Sequence, residues 1–310
     1  MNLEASNNLL RNRIAALRGT RFLAYPQGMS RSLRSVRLAL QSLATVFRGS
    51  KLISKLFLIN LLVLCSIHKA SATELSYPEL LLDDVKHVVS APARWEDEDW
   101  HKAGWASLAV VSTALVIDRP LRDEMHRHNG DNALITQVER FGAQYALGVI
   151  GGFYIAGELA DDQTSLQVAQ DGIAASLIAS GIITPAIKLV AGRSRPRSDA
   201  GVYNFKPFSD VNASFPSGHT TEAFALAAVV ANHYDDTWVT VTSYSIASMV
   251  GLARTYHHAH FASDVLAGAL IGTWVGKSVV AHNASLRSGK LTLLPDVSRG
   301  LIGIRIVRNF

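Results

Sequence analysis

Cysteine is almost absent: the 310 residues contain one, Cys65. That excludes a disulfide scaffold and a cysteine-ligated zinc module. Acidic residues are scarce in the first 72 positions, where eleven Lys and Arg face a single acid, Glu4. The remaining chain carries nineteen Lys and Arg against twenty-four Asp and Glu, so the formal net charge of +5 is a +10 leader attached to a −5 body. The acidic body has no Lys/Arg stripe interleaved with aromatics, which excludes a nucleic-acid-binding face. Aromatics are few, at 8%, yet apolar residues reach 48%. A chain of that composition buries a core and is not disordered.

The leader has an order of its own. Lys51 and Lys55 precede an apolar run from Leu56 to Ile67, and Ala70-Ser71-Ala72 then gives a small-x-small triplet before Thr73-Glu74. This is the pattern of a secretory signal peptide. The Arg-rich stretch upstream is long for such a signal, and Met29 is an alternative start. Leu62-Val63-Leu64 lacks the small residue that precedes a lipid-modified cysteine, so cleavage without lipidation is expected. The predicted boundaries are a leader over 1–72, an N-terminal amphipathic segment over 73–103, a helical domain over 104–285 and a strand-like tail over 286–310. The predicted compartment is the exported cell envelope, periplasmic and membrane-associated, with an integral inner-membrane protein as the alternative.

Six segments of the body are rich in Ala, Gly, Val and Leu: 104–117, 145–160, 171–190, 221–234, 238–253 and 264–281. Their length and alanine content predict helices, and the domain is all-α. Leu80 to Val89 reads as a further amphipathic helix. Charged breaks separate the segments, among them Asp118-Arg119-Pro120, Asp161-Asp162 and Asp235-Asp236. Most of the six fall short of the roughly 20 residues that cross a bilayer. A bundle in the exported space, soluble or held at a membrane surface, is the favoured reading and a spanning bundle the other. At the end of the chain Ile302, Ile304 and Ile306 alternate with other residues, predicting a short strand or hairpin.

Three clusters carry the chemistry. Lys188 to Pro196 closes the third helix, with Gly192 suited to a C-cap. Pro216-Ser217-Gly218-His219 opens the fourth. Arg254 to Asp264 joins the fifth to the sixth. Alternating helix directions bring all three to one end of the bundle. Lys188, Arg195 and Arg254 are three cations gathered in an acidic domain, which is costly unless an anion binds between them. Ser217 and Gly218 at a helix start offer backbone N–H groups to the same anion. His260 and Asp264 are spaced i,i+4, so the carboxylate can orient the imidazole and leave its other nitrogen as a nucleophile. His219 stands on the opposite wall, where it can protonate a leaving oxygen.

The spacing K-x6-R-P, then P-S-G-H, then R-x5-H-x3-D resembles the three-part signature of the type-2 phosphatidic acid phosphatase superfamily, which includes bacterial acid phosphatases, lipid phosphate phosphatases and vanadium haloperoxidases. The resemblance implies a six-helix bundle and a phosphatase acting on phosphate monoesters or lipid-linked phosphates and diphosphates. It implies that His260 attacks phosphorus to form a phosphohistidine while Asp264 orients it, and that His219 protonates the leaving group. Lys188, Arg195, Ser217, Gly218 and Arg254 would hold the phosphoryl oxygens, with no metal and no cofactor. Ala253 stands where the family usually has Ser, so one hydroxyl near the pocket is missing.

Other readings accompany these. His257, His258 and His260 form His-His-x-His, but no Cys or carboxylate set joins them as metal ligands, and a polar pocket rim is the plainer reading. His126 and His128 lie in the polar 118–144 connection. Trp95, Trp100 and Trp105 suit either packing or a lipid-facing belt. Phe215, Phe224 and Phe261 are candidates for the path of a lipid tail. The functional alternatives are a vanadate-dependent haloperoxidase and a non-catalytic phosphate-binding module of the envelope.

Overall fold

The computed structural model describes residues 77–127, 132–210, 212–288, 291–298 and 301–308. The leader, Met29, Cys65 and His128 lie outside the described residues. Helix α1 (Tyr77–Val89) leads to α2 (Asp97–Val116), α3 (Asp118–Met125), α4 (Ala133–Glu139) and α5 (Gln144–Ala160). Next come α6 (Gln163–Ser176), a π-helical segment over Leu177–Ile183 and α7 (Thr184–Ala191), then α8 (Gly218–Tyr234), α9 (Thr237–Tyr256) and α10 (Ala262–Ser288). The six long helices are those expected, with α6, the π segment and α7 running on as one. The 118–144 connection, read as a polar break, contains α3 and α4. The tail forms a hairpin in which β1 (Leu291–Ser298) pairs antiparallel with β2 (Leu301–Arg308).

The charged breaks are caps. Asp161 ends α5 in the left-handed region, at φ 51°, and Asp162 then caps α6 by accepting from Thr164 N–H and Ser165 N–H. Asp235 and Asp236 repeat the device between α8 and α9, with Asp236 accepting from Trp238 N–H. Asp tolerates the left-handed conformation, and its short side chain satisfies the orphan donors of the next helix. Each Asp pair therefore forces a tight antiparallel turn.

The core lies where α6, α8 and α10 meet, around Val168, Ile178, Ala225, Val229, Val275 and Val279, with Val88 of α1 packed into it. Gly268, Gly272 and Gly276 stand one turn apart on α10. A Cβ on any of them would meet the carbonyl oxygen of Ser217, Thr221 or Ala225 on or beside α8 at under 3.0 Å. This close approach sets the start of α8, which carries His219, against the start of α10, which carries Asp264. Gly272→Ala would gain about 0.5–1 kcal/mol from helix propensity on an open face. Here we expect it to lose about 1–3 kcal/mol through overpacking, measured by denaturant unfolding. A neutral or stabilising result would contradict the tight α8–α10 contact.

Among the described residues two helical stretches are long and apolar enough to cross a membrane, Gln163–Ala191 at 29 residues and Ala262–Arg287 at 26. Both exceed the lengths read from the sequence, because α6 begins eight residues before the predicted segment and α10 extends beyond it.

Candidate active site

Gly192 ends α7 at φ 58°, and its N–H donates to Lys188 O at 2.8 Å. A side chain there would collide with the Lys206 carbonyl, so only glycine lets the 192–217 connection fold back over the helix end. Lys188 is left buried in the last turn, donating to the carbonyl oxygens of Ala213 and Ser214. Arg195 donates to Asn212 O from Nε and Nη2, at 3.1 and 3.0 Å, and reaches Ala259 O at 3.4 Å. The connection is also tied to the third motif by Arg197 N–H, which donates to His258 O at 3.1 Å. Ser217 N–H donates to Asp264 O at 2.9 Å. The three motifs thus converge as the sequence predicts.

His260 is buried, and its Nδ1 lies 3.7 Å from Asp264 Oδ2, too far for a direct hydrogen bond. Ser214 bridges them: its hydroxyl donates to Asp264 Oδ2 at 2.5 Å and stands 3.4 Å from His260 Nδ1. A hydroxyl has one proton. With that proton given to Asp264, Ser214 accepts from His260 Nδ1–H, which fixes the tautomer and leaves Nε2 with its lone pair. The expected His–Asp pair is therefore a His–Ser–Asp relay. Sequence reasoning missed Ser214 because it lies outside the three motifs.

Asp264 also accepts from Phe261 N–H at 2.9 Å and from Arg193 Nη1 at 2.6 Å. Arg193 stands inside the first motif, where it read as a spacer. Its other donors reach Ser263 Oγ, Asp118 Oδ2 and Val202 O at 2.8, 2.8 and 2.9 Å. Asp118 in turn accepts from Ser263 N–H at 2.8 Å at the start of α10. Arg193, Asp118 and Asp264 have side chains no more than 2% exposed. One guanidinium between two carboxylates leaves a net negative charge beside His260, and the α10 N-terminus helps to hold it. The ring of Phe261 lies under the Arg193 guanidinium, 4.0 Å from its centroid. Phe261 is therefore part of the support, and Phe224 packs with Tyr244 beside the core.

Arg254 donates through Nη1 to Glu139 at the end of α4, while its buried Nε has no hydrogen-bond partner among the described residues. Glu139 also pairs with His257 Nδ1 and lies 3.8 Å from His219 Nε2. Burial pushes the Glu139 carboxyl up, but Arg254, His257 and His219 outweigh it and hold its pKa below the usual value. The His-His-x-His run does not converge: His257 turns to Glu139, His258 packs on the His126 ring at 4.5 Å, and His260 turns to Ser214. Among the described residues no three His, Asp or Glu form a metal-ligand group.

Burial, followed by Arg254, lowers the His219 pKa to about 3, and burial lowers that of His260 to about 3. Arg195 is lowered to about 10 by burial and then by Arg197 and Arg254. Burial thus favours the neutral form of both imidazoles. A histidine whose folded pKa lies below its unfolded value of 6.5 costs stability as pH falls from 6.5 towards 3, because the unfolded chain takes up the proton first. His260 contributes up to about 1.4 kcal/mol per pH unit in that window. His219, with 35% of its side chain exposed, contributes less. Burial raises the Asp84 pKa to about 7, which adds stability as pH falls through the same window. The histidine effect therefore shows as a difference: between pH 6.5 and 5 the unfolding free energy of wild type should fall relative to that of His260→Ala, read by denaturant titration at each pH, and parallel profiles would contradict a buried neutral His260.

Comparison with known proteins agrees with this geometry. Residues 172–285 match the model of the PAP2 superfamily. A lipid A 1-phosphatase of Rhizobium johnstonii is 36% identical over 126 residues, covering 39% of this chain and 50% of that protein. One of Porphyromonas gingivalis is 40% identical over 84 residues, 26% of this chain and 19% of that protein. The chain thus spans about half the length of the former and a fifth of the latter. Among solved structures, Aquifex aeolicus LpxE covers 54% of this chain and 96% of its own at 21% identity, with a TM-score of 0.41. A transmembrane PAP2-type phosphatidylglycerolphosphate phosphatase of Bacillus subtilis covers 68% and 96% at 20% identity, with a TM-score of 0.37. The stretch that carries all three motifs, 172–285, is thus the one that matches the PAP2 superfamily.

Proposed function

We propose that the protein is a metal-independent phosphatase of the cell envelope that hydrolyses a lipid-linked phosphate through a phosphohistidine on His260. The observation that carries this is the His260–Ser214–Asp264 relay set among Lys188, Arg195 and Arg254. The phosphoryl group is held by the three cations and by the N–H groups that open α8 at Gly218 and His219, which have no intrahelical acceptor. His260 Nε2 attacks phosphorus, forming the P–N bond as the P–O bond to the leaving group breaks. Positive charge then develops on the imidazole, where the relay and the net negative charge of the Arg193 triad stabilise it. His219 gives its proton to the leaving oxygen. In the second half water attacks phosphorus, His219 takes a proton from it, and the P–N bond breaks to release phosphate. The three cations supply the charge compensation for which other phosphatases use a metal.

Two features support a lipid substrate. The relatives named above are lipid A 1-phosphatases. Lys188 lies near the end of one candidate membrane span and Asp264 near the start of the other, so the pocket sits where both would emerge at a bilayer surface. The Arg-rich leader and the signal-like segment before Thr73 support an envelope location.

The test is phosphate release by the full chain, in a chelator, from a long-chain lipid phosphate in mixed micelles and from a soluble aryl phosphate. We expect the lipid to be used at higher kcat/KM. Loss of release on adding chelator would overturn the metal-free mechanism, and equal use of both compounds would overturn the lipid preference.

A further inference from the structure

Glu139 occupies a place no phosphate ligand would choose. It is the last residue of α4, far in sequence from the three motifs, yet its carboxylate reaches Arg254, His257 and the neighbourhood of His219 Nε2. A carboxylate repels the substrate phosphate, so its presence in this pocket asks for a compensating role. Its position is fixed. Just after it, Gly142 packs so closely on the start of α8 that a Cβ there would collide with the His219 carbonyl. The turn holding Glu139 and the residue holding the imidazole therefore move together.

The charges that act on His219 come from every side: Arg254 at the end of α9, Arg195 in the 192–217 connection, His260 in the turn before α10, and Glu139. Arg197 adds to the field on Arg254, and His257 shares the Glu139 carboxylate. Three of the four groups around His219 are cationic or become so, and all oppose the proton that a general acid must carry. The acid among them is Glu139. In the unliganded pocket its charge is spent on Arg254.

We propose that Glu139 is the positioning residue of the general acid: on substrate binding Arg254 transfers from Glu139 to the phosphoryl group, and the freed carboxylate then holds the proton on His219. This rests on the phosphatase reading above and adds a partner to it. The exchange balances charge, since the phosphoryl anion replaces the carboxylate at Arg254 and the protonated imidazole replaces Arg254 at the carboxylate. It also makes the acid competent only when substrate is bound. The proton balances: His219 takes one from solvent as substrate binds, loses it to the leaving oxygen, regains one from the attacking water and returns it to solvent when phosphate leaves and Arg254 pairs with Glu139 again.

The experiment compares wild type, Glu139→Gln, Glu139→Asp, His219→Ala and the Glu139→Gln/His219→Ala double variant on phenyl phosphate and 2,4-dinitrophenyl phosphate. A poor leaving group needs the proton and a good one does not. We expect Glu139→Gln to lose about tenfold or more in kcat on phenyl phosphate and less than about threefold on the dinitrophenyl ester, within the range general acids contribute. Glu139→Asp should recover part of the loss, and the double variant should be no slower than His219→Ala. Independently of turnover, histidine NMR of the vanadate-loaded protein should place the His219 pKa about one unit lower or more in Glu139→Gln than in wild type, as expected on removing an opposite charge at this range. Equal losses on both esters, additive losses in the double variant, an unmoved His219 pKa, or a faster Glu139→Gln enzyme would each overturn the proposal, the last marking Glu139 as a block on the phosphate site. A wild type that loads vanadate and shows the shift yet releases no phosphate from any ester sinks the phosphatase reading while upholding the Glu139–His219 coupling.

Discussion

Replacing Arg193 by Met should cost about 3–5 kcal/mol of folding free energy, because the substitution strips two buried carboxylates, Asp118 and Asp264, of their shared cation. Against a typical total of about 5–15 kcal/mol that is a large share. The loss comes from the charges left behind more than from the ion pairs themselves. Removing one carboxylate as well, as in Arg193→Met/Asp118→Asn, should therefore recover part of it. Denaturant unfolding of the purified variants reads both. A single variant within about 1 kcal/mol of wild type would show that the triad does not anchor the start of α10. Activity should fall further than stability, since Asp264 then lacks the partner that aims it at Ser214 and His260.

Replacing His260 by Ala should leave the fold intact and remove the reaction. His260 makes one side-chain hydrogen bond at the long distance of 3.4 Å, and its neighbours Ser214 and Asp264 remain bonded to each other. We expect a change in stability of about 1 kcal/mol or less. Loss of the nucleophile should lower kcat by about 10³-fold or more, leaving only what the cation pocket and His219 supply. Binding of vanadate or phosphate should persist in the variant, because the cations and the α8 N-terminus are untouched. Equal rates in wild type and variant would remove the covalent mechanism, and lost anion binding would mean that His260 holds the pocket together.

Much of the candidate site was legible because its residues fall in short runs at helix ends. Lys188, Arg195, Ser217, Gly218, His219, Arg254, His260 and Asp264 are all brought to one end of the bundle, as alternating helices require. The breaks were legible too, since Asp161-Asp162 and Asp235-Asp236 each punctuate two apolar runs, though not their role as caps. What supports the site was not legible. Asp118 looked like a charged break and Arg193 like a spacer between Lys188 and Arg195; only the fold shows that α3 begins beside α10 and that one guanidinium joins them. Ser214 and Glu139 lie outside the motifs, and no periodicity connects residue 139 to residue 219. Contacts of that sequence separation are set by tertiary packing, here by the close approach at Gly142 and the glycine ladder of α10. The continuity of α6 with α7 was legible as well. The 171–190 segment reads as one helix, and the π segment carries the chain through Pro185 without interruption, but the eight further residues at its start, from Gln163, were not read as helical.

The most direct measurement is single turnover, quenched in alkaline detergent, with a ³²P-labelled lipid phosphate in the presence of chelator, comparing wild type with His260→Ala. The account predicts a transient, acid-labile and base-stable phosphoprotein in the wild type, mapped to the peptide containing His260, and none in the variant. Turnover without any labelled protein, or label that persists in His260→Ala, would contradict it.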